Sequence, residues 1–206
     1  MSPQARSLGT ALALGGAFAV ALQLGLSIRH QLEAGRTVGF AVLQYTGYYT
    51  IITNTLCALV AAACVWPKRF GRFAATLRSS IAITAAAVSI FMVGMLYVTL
   101  LTQVHHPKGL EHLTNLLLHY LIPPLFAHFW WQVVPQGSLD WRDAWRCMAL
   151  PAAYLIYLAV RGAATGLYPY YFVDVGQLGY ARAAVNALAI AAVFLLATVD
   201  FIRLKR

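Results

Sequence analysis

The chain has 206 residues, of which 61% are apolar and only 10% are charged, with a formal net charge of +9. Soluble domains carry roughly 25% charged residues, so this chain has too few to cover a water-facing surface, and lipid must be its outer solvent. The positive surplus does not point to nucleic acid: the basic residues fall between apolar runs, where they act as topology signals and contacts for anionic lipid.

About 20 apolar residues cross a hydrocarbon core. Six runs reach that length, near 8–28, 38–65, 80–102, 113–134, 147–165 and 181–202. The expected fold is all-α, a single six-helix membrane bundle over residues 1–206. Short connections make sequence neighbours antiparallel. The first run, Leu8 to Ile28, exceeds the roughly 7–15 residues of a signal-peptide core. Its exit, Ser27-Ile28-Arg29-His30, offers no small-residue cleavage site, so it reads as a retained span.

The second run carries Thr46, Thr50, Thr53, Asn54 and Cys57. On one uninterrupted helix these share a face. A threonine hydroxyl can bond the carbonyl one turn back, but the Asn54 amide is harder to hide. That face therefore turns into the bundle, as helix-to-helix glue or as a site. In the fourth run His112, Asn115 and His119 recur at i, i+3 and i+7, and Pro123-Pro124 should kink the helix and free carbonyls at that depth. Arg161 lies about one turn from the end of the fifth run. Snorkelling is the simplest account, with Asp174 as a possible partner; the functional alternative is an anchor for an anionic head group or a free carboxylate. Cys57, Cys64 and Cys147 show neither disulfide nor zinc spacing and read as small apolar filler.

Orientation follows from the basic residues. Arg6, Lys68, Arg69, Arg72, Arg78, Arg142, Arg146, Arg203, Lys205 and Arg206 fall on one side, against Arg29, Arg36, Lys108 and Arg182 on the other. The richer side should be cytoplasmic, with both termini. Thr50, Asn115, His119, Arg161 and Tyr168-Pro169 then share the outer half of the bundle.

A hydroxyl nucleophile needs a base within hydrogen-bond reach and donors for the developing oxyanion. Thr50 or Thr53 can be the nucleophile, His119 the base, and Asn115 or Asn54 the orienting group. The chain has no GxSxG elbow and no HExxH. Lys68, Lys108 and Lys205 lie in loops, and only His119 is clearly intramembrane, which disfavours a bis-histidine haem. No cofactor or metal is expected.

Three patches carry a family resemblance: Gly47-Tyr48-Tyr49-Thr50-Ile51-Ile52-Thr53-Asn54; Asn115-Leu116-Leu117-Leu118-His119 with Pro124 five residues on; and Thr165-Gly166-Leu167-Tyr168-Pro169. In that order they resemble the androgen-induced-protein family of six-span membrane hydrolases, and more closely a family of bacterial six-span proteins. The eukaryotic members cleave fatty acid esters of hydroxy fatty acids with an intramembrane threonine and histidine. The resemblance implies His119 as the catalytic histidine and Thr50 as the catalytic threonine. The family pattern runs Thr-x-x-Asn, whereas Thr50 stands four residues before Asn54, so Thr50 and Thr53 are both admissible. Leu167 replaces the family's aromatic residues before Tyr-Pro.

Two functional classes follow. The first is an intramembrane hydrolase of lipid esters in a bacterial cytoplasmic membrane, its substrate drawn from membrane lipid, with Asn54, Asn115, Arg161 and Tyr168 orienting or binding it. The second is a non-catalytic protein, either a small transporter or channel or a lipid-binding scaffold. Polarity confined to the outer half argues against a through-path. Homo-oligomers are compatible with either class.

Overall fold

A computed structural model describes residues 1–206, and the chain is helical with no strands. We label the main helices α1 (Pro3–Glu33), α2 (Val38–Gly47), α3 (Tyr49–Val65), α4 (Ser80–Leu96), α5 (Leu110–Asn115), α6 (Ile122–Val133), α7 (Ala149–Thr165) and α8 (Val175–Lys205). A π-helical turn, Tyr97–Leu101, extends α4, and another, Leu116–Leu121, joins α5 to α6. Four helices are long and apolar enough to cross a membrane: Pro3–Glu33, Ser80–Leu101, Asp143–Thr165 and Val175–Lys205. The pair α2 and α3, bent by 77°, adds a fifth if it is one broken span.

Local chemistry sets where the helices begin. Ser2, Thr37 and Ser79 accept from the amides of Ala5, Phe40 and Ala82, and Asp174 accepts from Gly176 and Gln177. Each side-chain oxygen satisfies an amide that the first helical turn leaves without a partner. The last helix starts ahead of the expected run, but Gly179 interrupts it at φ +74°, a conformation that favours glycine.

The uninterrupted second helix does not exist. Tyr48 is extended (φ −81°, ψ 125°), so residues 38–65 form two arms. Thr46 therefore leaves the polar face expected for it. It is exposed on α2, bonded to the carbonyls of Val42 and Leu43, while Thr50, Thr53, Asn54 and Cys57 are buried on α3.

Helix α3 packs between α1 and α4. Small residues let the first pair approach: a Cβ on Gly16 would lie 3.1 Å from Cβ of Ala58. Such small-residue seams are how helices pack where lipid gives no hydrophobic drive between them. Phe126 and Phe129 of α6 are fully buried beside them, and Trp130 donates to the Thr84 hydroxyl at 2.9 Å.

The two ends of the bundle differ. At one end the start of α1 meets Val65 and Phe129, Arg206 lies over Trp141, and Lys205 donates to the Trp131 carbonyl at 2.7 Å. Most of the basic loop residues gather there. The other end holds the α2–α3 break and the α5 approach, and it is where polar side chains enter the bundle.

A leucine at Gly16 must separate α1 from α3, and overpacking of this kind costs about 1–3 kcal/mol. Gly16→Leu should lower the thermal unfolding midpoint of detergent-purified protein by several degrees. Gly15→Leu, next to it but facing open space, should leave the midpoint nearly unchanged. Equal midpoints for the two variants would refute the seam.

Candidate active site

Breaking a helix at Tyr48 strands the last carbonyls of α2 and the first amides of α3. In a low-dielectric interior each such group must find a partner. Helix α7 supplies the donors. The Tyr154 hydroxyl donates to the Gly47 carbonyl at 2.8 Å and that of Tyr157 to Thr46 at 3.4 Å. Arg161 Nη2 donates to the Leu43 carbonyl (3.2 Å) and to Gln44 Oε1 (3.0 Å), and its Nη1 to the Leu167 carbonyl. On the α3 side, the Tyr49 amide donates to the Tyr170 hydroxyl at 3.0 Å. Gly47 admits the guanidinium against the backbone, since a Cβ there would stand 2.9 Å from Cζ of Arg161 and the arginine would have to shift.

Arg161 is accordingly buried, 4% exposed, rather than snorkelling. Asp174 is not its partner; that carboxylate is occupied by the amides opening α8 and by Gln177 Nε2. The guanidinium sits instead where the carbonyl ends of α2 and α7 converge, and two negative helix termini compensate its charge.

The break places Thr50 in the first turn of α3, with its hydroxyl 3.3 Å from Nε2 of His119. On the far side of the imidazole, Nδ1 lies 3.3 Å from the Asn115 carbonyl. A carbonyl can only accept, so Nδ1 carries the proton and Nε2 is free to take the threonine proton. The Tyr97 ring stacks on the imidazole, centroids 3.9 Å apart and planes 23° from parallel. Both rings belong to π-helical turns, which recur at functional positions.

The surroundings fix this pair. Pro123 and Pro124 have no amide hydrogen, so carbonyls in the preceding turn lack backbone partners. Asn54 Nδ2 donates to one of them, Leu118, at 3.3 Å, and to the Thr50 carbonyl at 2.8 Å. One side chain thus ties the Thr50 turn to the His119 turn. Gly94 lets α4 approach, since a Cβ there would lie 3.2 Å from the His119 carbonyl oxygen. Thr53 is fully buried and donates to the carbonyls of Tyr49 and Thr50. The structure brings Thr50, and not Thr53, to His119. His112 is exposed and outside the site.

Two cavities meet at Thr50. A polar chamber of about 520 Å³ is walled by Gln23, Ser27, His30 and Gln31 of α1, Gln44, Tyr45 and Tyr48 around the break, and His105, Glu111, Asn115 and His119. An apolar cleft of about 140 Å³ lies between α4, α7 and α8, walled by Val93, Leu96, Pro151, Leu155, Leu158, Ile190 and Phe194 among others. Thr50, Tyr97, Leu101 and Tyr170 line both.

Of the residues expected from sequence, Thr50, Asn115 and His119 reach a cavity wall. Thr53, Asn54, Arg161 and Tyr168 line neither, and the Tyr168 ring occupies the space a Cβ on Gly162 would take. Four side chains central to the site were not anticipated: Tyr97, His105, Tyr170 and Gln23. Gln23, Ser27 and Gln31 recur at intervals of four, a polar stripe on an otherwise apolar helix, and that signal was present to be read. No group of three His, Cys, Asp or Glu side chains is placed to hold a metal ion. No protein-family profile, curated protein or solved structure matches the chain.

Proposed function

We propose that the protein is a multi-pass membrane enzyme that hydrolyses lipid esters, with Thr50 as nucleophile and His119 as general base. The observation that carries this reading is the Thr50–His119 contact at the seam between a polar chamber and an apolar cleft. An ester has a polar and an apolar side, and its carbonyl lies at their junction. The resemblance of the Thr50, His119 and Tyr168-Pro169 patches to six-span threonine hydrolases supports the same assignment.

In the first step Thr50 Oγ1 attacks the ester carbonyl carbon as its proton passes to His119 Nε2. The Tyr170 hydroxyl accepts from the Tyr49 amide and lies beside the Thr50 side chain, so its own proton can face the oxyanion. The carbon–oxygen bond to the alcohol breaks, and the alcohol leaves with the proton held by His119. Water then attacks the acyl-threonine carbonyl as His119 takes its proton, and collapse releases the carboxylic acid while that proton passes from His119 to Thr50 Oγ1, restoring both side chains.

The run from Leu110 to Val133 completes a six-span reading once its π-helical turn is counted within it. The basic end of the bundle and both termini face the cytoplasm, which sets the chamber toward the outer leaflet. The cleft between α7 and α8 is the lateral route for an acyl chain.

Thr50→Ala and His119→Ala should each lower kcat on a lipid ester by at least about a hundredfold, as loss of a nucleophile or its base does. Thr53→Ala should stay within about threefold of the parent, since that position does not reach the base. A fluorophosphonate probe should label the parent and Thr53→Ala but not Thr50→Ala. Parent-like turnover by Thr50→Ala would end the assignment, and absence of turnover by the parent itself would favour a lipid-binding scaffold.

Tyr170→Phe removes a donor that acts on the oxyanion and not on the ground-state ester. Its kcat should fall about ten- to a hundredfold with KM little changed. A rise in KM at constant kcat would instead make Tyr170 a substrate contact.

A further inference from the structure

Two of the cations on the side of the chamber, Arg161 and Arg29, are engaged elsewhere. Arg161 is held by two carbonyls and the Gln44 side chain, and it lines neither cavity. Arg29 turns to the surface and pairs with Glu33 at 3.6 Å. No lysine or arginine lines the polar chamber, whose one side chain of the Asp, Glu, Lys and Arg group is Glu111. His105 binds the Tyr97 hydroxyl through Nδ1 at 3.1 Å. A carboxylate entering this space meets the Glu111 carboxylate and no lysine or arginine, the imidazoles of His30, His105 and His119 being the only basic groups on the wall.

The polar groups that are present ask for something else. Asn115 Oδ1 is buried at the chamber wall without a hydrogen-bond partner. It is an acceptor and needs a donor. A carboxylate has none to give, whereas a hydroxyl does. Gln23, Ser27, Gln31 and Gln44 supply both donors and acceptors around it.

We propose that the chamber takes an uncharged, hydroxyl-bearing head group, so that the substrates are acyl esters of glycerol or of a sugar and not esters carrying a free carboxylate. The proposal rests on the hydrolase reading and departs from the substrate that the family resemblance implies. The acyl chain lies in the cleft along α7, where the wall from Pro151 to Leu158 covers about 10 Å at 1.5 Å per residue.

The test uses the full chain purified in detergent and esters of one acyl chain length. Four substrates are compared: the monoacylglycerol, the glucose monoester, a fatty acid ester of a hydroxy fatty acid, and the methyl ester of that same compound. Methylation removes only the negative charge. The glycerol or glucose ester should be cleaved, and their ratio identifies the source of the head group. The methyl ester should exceed its free acid in kcat/KM by at least about tenfold, an effect that one like-charge contact at low dielectric readily reaches. Glu111→Gln should narrow that ratio. A free acid cleaved as fast as its methyl ester, or faster than the polyol esters, overturns the proposal and leaves the hydrolase reading standing. Cleavage of none of the four removes both.

Discussion

The break at Tyr48 governs this structure because of what a broken helix exposes. Each unpartnered backbone group away from water costs several kcal/mol, and a 77° bend frees several at once. The chain answers with one wall of α7: Tyr154, Tyr157 and Arg161 stand at intervals of three and four, so their polar ends face the break together. Arg161 is the costly member, a guanidinium buried without an acid. Two converging helix carbonyl ends offset that cost, and Gly47 admits the planar group against the backbone. Tyr170 closes the other side by accepting from Tyr49. The result is a helix that begins in mid-bundle with Thr50 in its first turn.

The histidine is set by a second defect. Two prolines after Leu121 remove amide donors, and the helix ahead of them widens into a π turn. Asn54 then bonds both the Thr50 carbonyl and the Leu118 carbonyl. Two backbone irregularities, each costly alone, are fastened together by one amide. Tyr97, from the π turn ending α4, covers the imidazole face. The Thr50–His119 distance is thus fixed by three helices whose irregular turns meet at one depth.

This explains which parts were legible in the sequence. Long apolar runs announce helices through composition alone, and each of the six expected intervals is occupied by helix. Pro123-Pro124 announced a disturbance, since proline has no donor wherever it stands. The break at Tyr48 carries no proline, and a lone Gly47 is common in membrane helices. It was invisible because the partners that stabilise it lie more than a hundred residues away in α7 and at Tyr170. Treating residues 38–65 as one helix gave Thr46 a place on the polar face that it does not hold. The same distance effect hid the role of Arg161. Asp174 looked like its partner by proximity in sequence, yet a carboxylate at a helix start is better used as a cap. Thr50 and Thr53 were indistinguishable by spacing, and only the bend separates them, aiming one hydroxyl at the imidazole and the other at its own backbone.

On the proposed mechanism, the division into two cavities also orders the reaction. His119 lines the polar chamber and not the apolar cleft, whereas Thr50 lines both. The base is therefore on the side from which the alcohol departs. Once the head group leaves, the chamber is the space open to water, and the acyl chain still fills the cleft. Water arrives where the alcohol stood, within reach of the same Nε2 that protonated it. One imidazole can then serve both halves of the cycle without moving, which suits a ring held by Tyr97 on its face and by the Asn115 carbonyl at Nδ1. Rigid placement that would hinder a shuttling base is an advantage when leaving group and water use one door.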